Sequence, residues 1–366
     1  MHLEWLTLGG FRSHEAVEWR PDPAINIVVG DNGAGKTNLL EAVSYLATLR
    51  SFRGSPDDAL VAHHAEAAYV RGSVIRDDNE ASTLIEIEVR RRGARRVLVN
   101  RQRLARAADL IGHVRIVAFL PEDLELVKRG PAYRRDLLDD AAVQLWPGAY
   151  ADRLEFDRAL RQRNAFLKQG DRDPVTLSVW DERLAVATGR LMTRRVRALA
   201  AISRHLPGAY AEVAGGGEEA SLEYRSLWAS GSGETRSAPA FTAEMQEALV
   251  RAHRTDRDRR VTTVGAHRDE PTFLLGGHDA RHLASQGEQR TVALAVRLAT
   301  HRAITEVTDT SPILLLDDVF SELDPTRAAA LTGALPVAQT LITTADPSDV
   351  PVRGVSWQVA QGVIRV

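Results

Sequence analysis

Cysteine is absent from this chain of 366 residues, and lysine is almost absent, occurring only at Lys36, Lys128 and Lys168. Without cysteine the chain can form no disulfide framework, no cysteine nucleophile and no thiolate metal site. Of the 47 basic residues, all but those three lysines are arginine. A lysine is therefore informative wherever a motif requires one.

The chain also lacks an excess of charge and any long apolar run. Its formal charge is −2, from 47 basic and 49 acidic residues, so a nucleic-acid partner would have to be held by a local patch. It has neither a signal-like start nor a window of about 18 apolar residues, which favours a cytoplasmic protein without a membrane partner. With 44% hydrophobic and 26% charged residues, this length predicts two globular lobes.

Alternating helix and strand patterns predict an α/β fold. Strand patterns fill residues 3–29 and 69–99, with an amphipathic helical pattern at 36–49 between them. Helical spacing of apolar residues dominates after about residue 120, and strands alternate with helices again beyond about residue 261. We therefore expect a parallel sheet built from both ends of the chain, with a mainly helical lobe inserted between them and no long coiled coil. The predicted segments are 1–115 and 262–366 for the head and 116–261 for the lobe.

The pattern G-x-x-x-x-G-K-T lies between a predicted strand and a predicted helix. In such a loop, glycines allow backbone amides to face phosphate oxygens, and the helix N-terminus adds its positive dipole end. The lysine would contact the β- and γ-phosphates of ATP, and the threonine hydroxyl would ligate Mg²⁺. An ordinary glycine-rich turn is the alternative, but a lysine at this position is informative where lysine is so rare. The predicted ATP-binding residues are Gly30, Asp31, Asn32, Gly33, Ala34, Gly35, Lys36 and Thr37.

An apolar run at 313–316 ends in two acidic residues, Asp317 and Asp318. The carboxyl ends of parallel strands form the ligand edge of such a sheet. One acid there can hold Mg²⁺ through water, while the next orients or deprotonates the attacking water. A solvated strand terminus is the alternative. Further along, Asp324 before Pro325 predicts a helix N-cap.

The segment Ser285, Gln286, Gly287, Glu288 precedes a helical pattern and has two interpretations. It matches a capping box, in which the serine oxygen accepts from an amide of the first turn and the glutamate reaches back. Gly287 fits that interpretation poorly, because glycine within a helix costs about 1 kcal/mol relative to alanine. Close approach of an anion to the helix N-terminus explains such a glycine better. The segment therefore predicts a second phosphate-contacting element.

Phosphate loop, serine–glycine turn and acidic strand, in this order, resemble the ABC-type ATPase heads of the SMC and DNA-repair class. Five segments are more specifically similar to the RecF family of bacterial recombination mediators: GDNGAGKTNLLEAVSYLATLRSFR at 30–53, FLPEDLELVKRGPAYRR at 119–135, GAHRDE at 265–270, SQGEQRTVALAVRLA at 285–299 and LLLDDVFSELD at 314–324. The resemblance implies a nucleoid-associated, ATP-dependent homodimer that binds DNA at single-strand gaps. It also implies work with RecR and RecO, which indirectly helps RecA replace single-strand-binding protein.

The same resemblance assigns roles to the motif residues. It makes Lys36 and Asp318 catalytic, Asp318 being the hydrolytic acid, and it places Mg²⁺ on Thr37 and Asp317. The segment 285–288 corresponds to the signature that reaches the nucleotide held by a second subunit. It assigns a dimer-contact loop to the position of Asp324.

The chain departs from the wider ABC pattern at three places. Gln286 stands where a glycine is common, and Asp318 is one methylene shorter than the usual glutamate. No histidine occurs within 340–350, where a switch histidine for the γ-phosphate would be sought. The shorter acid and the missing histidine predict weak, slow ATP hydrolysis.

One arginine cluster is a candidate DNA contact. Residues 84–106 carry eight arginines against two glutamates, and such a cluster on a hairpin could follow DNA phosphates. A solvated hairpin tip is the alternative. Because no aromatic residues are interleaved, we expect contact with the DNA backbone and little sequence preference. The chosen residues are Arg90, Arg91, Arg92, Arg95 and Arg96.

Two other function classes share the phosphate loop. The nucleotide-binding subunit of an ABC transporter would not carry an inserted lobe as long as the roughly 250 residues between Lys36 and Ser285. The ATPase part of a defence nuclease would be expected to carry a nuclease domain, and only about 40 residues follow Asp324. Both are therefore alternatives to a DNA-repair ATPase.

Overall fold

The structure, a computed structural model, describes residues 1–76, 81–170, 173–231 and 234–365. Its strands are β1 (His2–Phe11), β2 (His14–Trp19), β3 (Ile25–Val29), β4 (Ala67–Ile75), β5 (Ser82–Arg90), β6 (Arg96–Val99), β7 (Gln102–Arg103), β8 (Ile116–Phe119), β9 (Ala220–Arg225), β10 (Glu270–Leu275), β11 (His278–Asp279), β12 (Ile313–Asp317), β13 (Thr340–Thr344), β14 (Val355–Ala360) and β15 (Val363–Arg365). Its helices are α1 (Lys36–Thr48), α2 (Pro131–Leu145), α3 (Gly148–Gln169), α4 (Pro174–Ala214), α5 (Ala238–Arg259), α6 (Ala280–Leu283), α7 (Gln286–Thr308) and α8 (Pro325–Ala334).

Six strands from the N-terminal part form an antiparallel sheet in the order β2-β1-β4-β5-β6-β7. The buried residues of β1, which are Leu3, Leu6, Leu8 and Phe11, depart from strict alternation. The step from Leu3 to Leu6 arises because the pairing with β4 shifts between Leu3 and Trp5, and such an irregularity adds a residue while keeping the apolar side chains on one face. The strands predicted within 3–29 and 69–99 are confirmed.

A second six-stranded sheet has the order β15-β14-β3-β13-β12-β8, and its neighbouring strands are parallel except in the β14–β15 hairpin. β12 is buried along its whole length and is apolar up to its final aspartate, as is typical of a central parallel strand. The carboxyl ends of three strands lie side by side, since Thr344 is opposite Val29 and Asp317 is opposite Thr343. The phosphate loop follows β3, so both sequence motifs reach the same edge.

Helix α1 lies between these two sheets. It packs on β1 and β4 of the antiparallel sheet and on β8, β12 and β13 of the parallel sheet. Every residue from Leu39 to Ala47 is buried, and the apolar ones among them belong to one core shared with both sheets. The helix that follows the phosphate loop is therefore fixed from two sides.

The second of two compact units comprises residues 125–210 and 217–293. It contains α2, α3, α5 and most of α4, together with a three-stranded sheet in the order β11-β10-β9. Some buried polar groups in this unit pair with one another: Asp269 accepts from the Tyr224 hydroxyl (2.8 Å) and from Trp228 Nε1 (2.9 Å). Arg195 donates to both carboxylate oxygens of Asp139, at 2.6 and 2.8 Å. The inserted lobe thus contains a sheet as well as the predicted helices.

The first unit comprises residues 1–124, 211–216 and 294–366, which corrects the predicted boundaries in two places. Residues 116–119 were placed in the lobe, but β8 pairs in parallel with β12 and belongs to the head sheet. Residues 262–293 were placed in the head, but β10 pairs with β9 of the second unit. At both positions the pairing of strands sets the boundary, and the change between strand-like and helical sequence patterns does not.

Among the described residues, the longest helix is α4, with 41 residues. The prediction that the chain has no long coiled coil is confirmed for this part of the chain. No described helix combines the length and the apolar character needed to cross a bilayer.

Replacing Gly30 with alanine should destabilise the chain even without nucleotide. A Cβ at Gly30 would lie 2.3 Å from the carbonyl oxygen of Val359 in β14, and a backbone atom cannot rotate away. Overpacking of this kind costs about 1–3 kcal/mol. Gly333→Ala is the matched control, because nothing lies within 4 Å of a Cβ at that position in α8. Equal free energies of urea unfolding for the two variants would contradict this expectation.

Candidate nucleotide site

The phosphate loop occupies the turn between β3 and α1. Gly33 and Gly35 have positive φ angles of 84° and 111°, which a residue with a Cβ rarely adopts. Gly35 is the N-cap residue of α1, and no side chain caps the helix. The amides of the first turn are therefore left for another acceptor, which is the arrangement that binds phosphate at helix N-termini.

Lys36 is directed back across this loop. Its side chain is largely buried, with 7% of the residue exposed, and Nζ donates to the carbonyl oxygens of Gly30 (2.6 Å) and Asp31 (3.1 Å). These two bonds hold the ammonium group against the loop that would surround a phosphate. The lysine predicted from the sequence is thus oriented by the same loop.

The acidic strand end and the phosphate loop meet at Asp317. The Thr37 hydroxyl donates to Asp317 Oδ1 at 2.9 Å, and the Thr343 hydroxyl donates to the same oxygen at 2.7 Å. Burial of the carboxyl group raises the pKa of Asp317, although both threonine bonds and the charge of Arg53 oppose the increase. The site therefore contains a partly stabilised carboxylate for which a nearby cation would be favourable.

Asp318 has a backbone conformation that accounts for its short side chain. Its φ is 50°, a left-handed value that aspartate tolerates better than most residues with a Cβ. Its amide donates to the Thr343 hydroxyl (3.0 Å) and to the Thr343 carbonyl oxygen (3.1 Å). Within the described residues, its Oδ1 atom is buried and has no hydrogen-bond partner. An acceptor without a partner at this edge is suited to a water molecule.

Two polar residues of this edge were missed by the sequence analysis. The hydroxyl of Thr343 contacts both aspartates, because it donates to Asp317 and accepts from the Asp318 amide. Arg53 donates at 3.0 Å to Oδ1 of Asn38, which lies in the first turn of α1. Thr343 lies in the fully buried strand β13, and its role follows from pairing opposite Asp317. Arg53 is one of many arginines, so composition could not single it out.

The serine–glycine turn lies in the second unit and forms the capping box that its spacing allows. The Ser285 amide donates to Glu288 Oε2 at 2.7 Å, and the Glu288 amide donates to Ser285 Oγ at 3.3 Å. Ser285 and Gln286 are exposed at the start of α7, whereas Gly287 is half-buried. The capping interpretation therefore holds, and the exposed serine is also accessible to another molecule.

Asp324 is the N-cap of α8, as its position before Pro325 predicts. Its carboxylate accepts from the Arg327 amide at 3.0 Å and also pairs with the Arg327 guanidinium. These bonds, the backbone one first, hold the pKa of Asp324 below its ordinary value. Its role in a dimer-contact loop stays a prediction.

The five candidate DNA-contacting arginines have different environments. Arg91 donates to the carbonyl oxygen of Ala62 at 2.7 Å, and Arg95 donates to the Tyr45 hydroxyl at 3.1 Å. Both are half-buried and fix neighbouring segments. The exposed members are Arg90, which pairs with Glu88 at 2.9 Å, and Arg92 and Arg96. Three arginines of the cluster, instead of five, are therefore in the exposed class.

Comparison with known proteins gives the family to which the chain is similar. The model of the family "RecF/RecN/SMC N terminal domain" matches residues 2–350. The DNA replication and repair protein RecF of Streptomyces avermitilis is 40% identical over 376 residues, covering 100% of this chain and 99% of the relative. A solved structure of the recombination mediator protein RecF-ATP in the RecFOR pathway has a TM-score of 0.90 and 30% identity, covering 100% of this chain and 97% of that one.

A more distant structure shows how widely the fold is shared. The SMC head bound to the C-winged helix domain of ScpA has a TM-score of 0.56 at 18% identity, covering 100% of this chain and 96% of that chain. The predicted SMC-like, ABC-type ATPase fold is thereby confirmed. Since the family model and the RecF relative both extend over nearly all of its length, this chain belongs to the RecF family of DNA replication and repair proteins.

Proposed function

We propose that this chain is a DNA-associated ATPase that binds ATP on the loop 30–37. One contact carries the proposal: the hydroxyl of Thr37, at the start of α1, donates to Asp317 at the end of β12. The two residues are 280 positions apart in the sequence, yet they bring a phosphate-binding helix end and a carboxylate into direct contact. A RecF protein solved as RecF-ATP supports the same ligand.

The residues at this edge fit Mg²⁺, which prefers oxygen ligands. Thr37 and Asp317 would hold the ion together with phosphate oxygens of the nucleotide. Bound there, Mg²⁺ would neutralise charge on the β- and γ-phosphates. Because burial raises the pKa of Asp317, a neighbouring cation would favour its ionised form.

Asp318 is the residue that we assign to the attacking water. Its buried Oδ1 has no hydrogen-bond partner in the described residues and can accept a hydrogen bond from that water. Lys36 would stabilise charge on the transferred phosphoryl group. The short reach of aspartate, fixed further by two bonds from its amide to Thr343, supports turnover slower than the enzyme median of about 10 s⁻¹.

A second copy of the chain would complete the site. In this proposal the signature residues Ser285, Gln286, Gly287 and Glu288 contact the γ-phosphate held by the partner copy, and Asp324 lies in the adjoining contact loop. The exposure of Ser285 and its long 3.3 Å bond with the Glu288 amide support this role, because an incoming phosphate could replace that bond. ATP would then act as a dimerisation switch.

The DNA and mediator partners of this chain are inferred from its family. We propose that the dimer acts at single-strand gaps with RecR and RecO and thereby assists RecA loading. The matched RecF-ATP structure is described as part of the RecFOR pathway. On this chain, Arg90, Arg92 and Arg96 are the fully exposed members of the predicted DNA patch.

Sizing by light scattering tests the dimer switch. Wild-type protein should be monomeric without nucleotide and dimeric with MgATP, further stabilised by gapped DNA. Lys36→Met and Ser285→Arg should both stay monomeric, the first because it loses a phosphate contact and the second because the bulky side chain blocks the signature. Ser178→Arg, at an exposed serine of α4, is the matched control and should dimerise. Equal dimerisation of wild type and Ser285→Arg would refute the switch.

Asp317→Asn separates stability from metal binding. Because the pKa of Asp317 is raised in the folded state, its ionised form destabilises the fold at pH values above that pKa. An amide keeps an oxygen for both threonines and removes that cost, so the free energy of unfolding without nucleotide should stay equal or rise. Mg²⁺-dependent ATP affinity should fall roughly tenfold or more, or about 1.4 kcal/mol. Calorimetric titration measures this, with the exposed Asp349→Asn as control; unchanged affinity would count against the site.

The surface arginines can be tested through salt dependence. Replacing Arg90, Arg92 and Arg96 together with glutamine should weaken duplex DNA binding and reduce the slope of log K against log salt by about 0.9 per lost phosphate contact. The matched control changes three exposed arginines of the second unit to glutamine: Arg158, Arg183 and Arg225. If both triple variants have the same slope as wild type, this patch does not bind DNA.

A further inference from the structure

His14 connects the phosphate loop to the β14–β15 hairpin. Its Nε2 lies 3.0 Å from the Gly35 carbonyl oxygen, and its Nδ1 lies 2.8 Å from the Gly362 carbonyl oxygen. The residue is 0% exposed and is the first of β2. No sequence motif singled it out, and the proposed chemistry does not use it.

The contact between His14 and the Gly35 carbonyl group lies at the first turn of α1. The Gly35 carbonyl oxygen also accepts the bond from the Leu39 amide at 3.0 Å that begins the helix. A capping side chain would occupy the amides that a phosphate needs, and α1 has none. The first turn can therefore be oriented from its carbonyl side without blocking those amides, and the His14 ring lies on that side. The adjacent Ser13 adds a second contact, since its Oγ accepts from Asn38 Nδ2 at 2.8 Å.

Close packing fixes both partners of the ring. A Cβ at Gly35 would lie 2.9 Å from His14 Cε1, and a Cβ at Gly362 would lie 2.5 Å from the Ser13 carbonyl oxygen. Gln361 and Gly362 form the two-residue loop of the hairpin, and both have positive φ angles, 48° and 77°. Such a turn matches the twist of its strands and holds its carbonyl groups in set directions. The Gly362 carbonyl group is therefore a fixed anchor for His14.

The chemistry of the two acceptors determines which side chain can replace histidine. A carbonyl oxygen only accepts, so each bond needs a hydrogen on the ring nitrogen that faces it. A neutral ring donates to one of the two carbonyl groups, and a ring with hydrogen on both nitrogens donates to both. A primary amide carries two donors on one nitrogen, whereas leucine has none. Glutamine can therefore restore a donor at this position, and leucine fills the space without one.

We propose that His14 is a positioning residue of the phosphate loop and that it couples the Gln361–Gly362 turn to nucleotide affinity. The proposal rests on the proposed ATP binding. It adds that the β14–β15 hairpin influences that binding. Coupling between two sites is reciprocal, so ATP in the loop should in turn tighten the Gly362 turn. The Gly362 amide, which donates to the Ala34 carbonyl oxygen over a long 3.4 Å, reports on that tightening.

The test compares wild type, His14→Leu and His14→Gln, with the surface variant His64→Leu as the matched control. Calorimetry measures the MgATP dissociation constant, and urea unfolding measures stability without nucleotide. His14→Leu should weaken MgATP binding by roughly tenfold at a temperature where it is folded, His14→Gln should recover part of the loss, and His64→Leu should match wild type. Hydrogen exchange of the Gly362 amide should slow with MgATP in wild type and stay unchanged in His14→Leu.

The outcomes separate the two proposals. A wild type that does not bind MgATP would overturn the proposed function, and this inference with it. A wild type that binds, alongside a folded His14→Leu variant of equal affinity, would overturn the role of His14 alone. If His14→Leu does not fold, the wild-type exchange experiment decides, because unchanged exchange at Gly362 with bound MgATP would overturn the coupling.

Discussion

A buried carboxylate shared by two hydroxyl groups is the interaction on which the candidate site depends. Asp317 receives bonds from Thr37 in α1 and Thr343 in β13, so the helix and two strands must keep one register to preserve them. A slip of one residue would reverse which face each strand side chain occupies. The packing of α1 between two sheets and the apolar content of β12 together prevent such a slip.

The polar groups that would bind nucleotide either make bonds that a ligand could replace or are left open to it. Lys36 donates to loop carbonyls, the amides of the first turn of α1 have no capping side chain, and Asp318 keeps a buried oxygen without a partner in the described residues. Folding has therefore already ordered these groups and removed much of their water. Binding then needs less rearrangement, which is the general advantage of preorganised sites.

The sequence allowed the prediction of features that depend on near neighbours. The phosphate loop, the capping box at Ser285 and the N-cap at Asp324 are local patterns, and each has the expected geometry. It could not reveal Thr343, His14 or the β9–β10 pairing, because those contacts join positions that only the sheet brings together. The arginine cluster shows a similar limit: charge could be counted along the chain, whereas the carbonyl groups that engage Arg91 are 26 or more positions away.

The burial of Lys36 has a consequence for chemical labelling. Lys128 and Lys168 are exposed and both belong to the second unit, whereas the lysine of the phosphate loop is shielded and hydrogen-bonded. Reagents that acylate lysine side chains would thus attach to the second unit and leave the nucleotide loop intact. Crosslinks made through these lysine side chains would report neighbours of the second unit, and contacts of the first would have to be captured through its arginines or carboxylates.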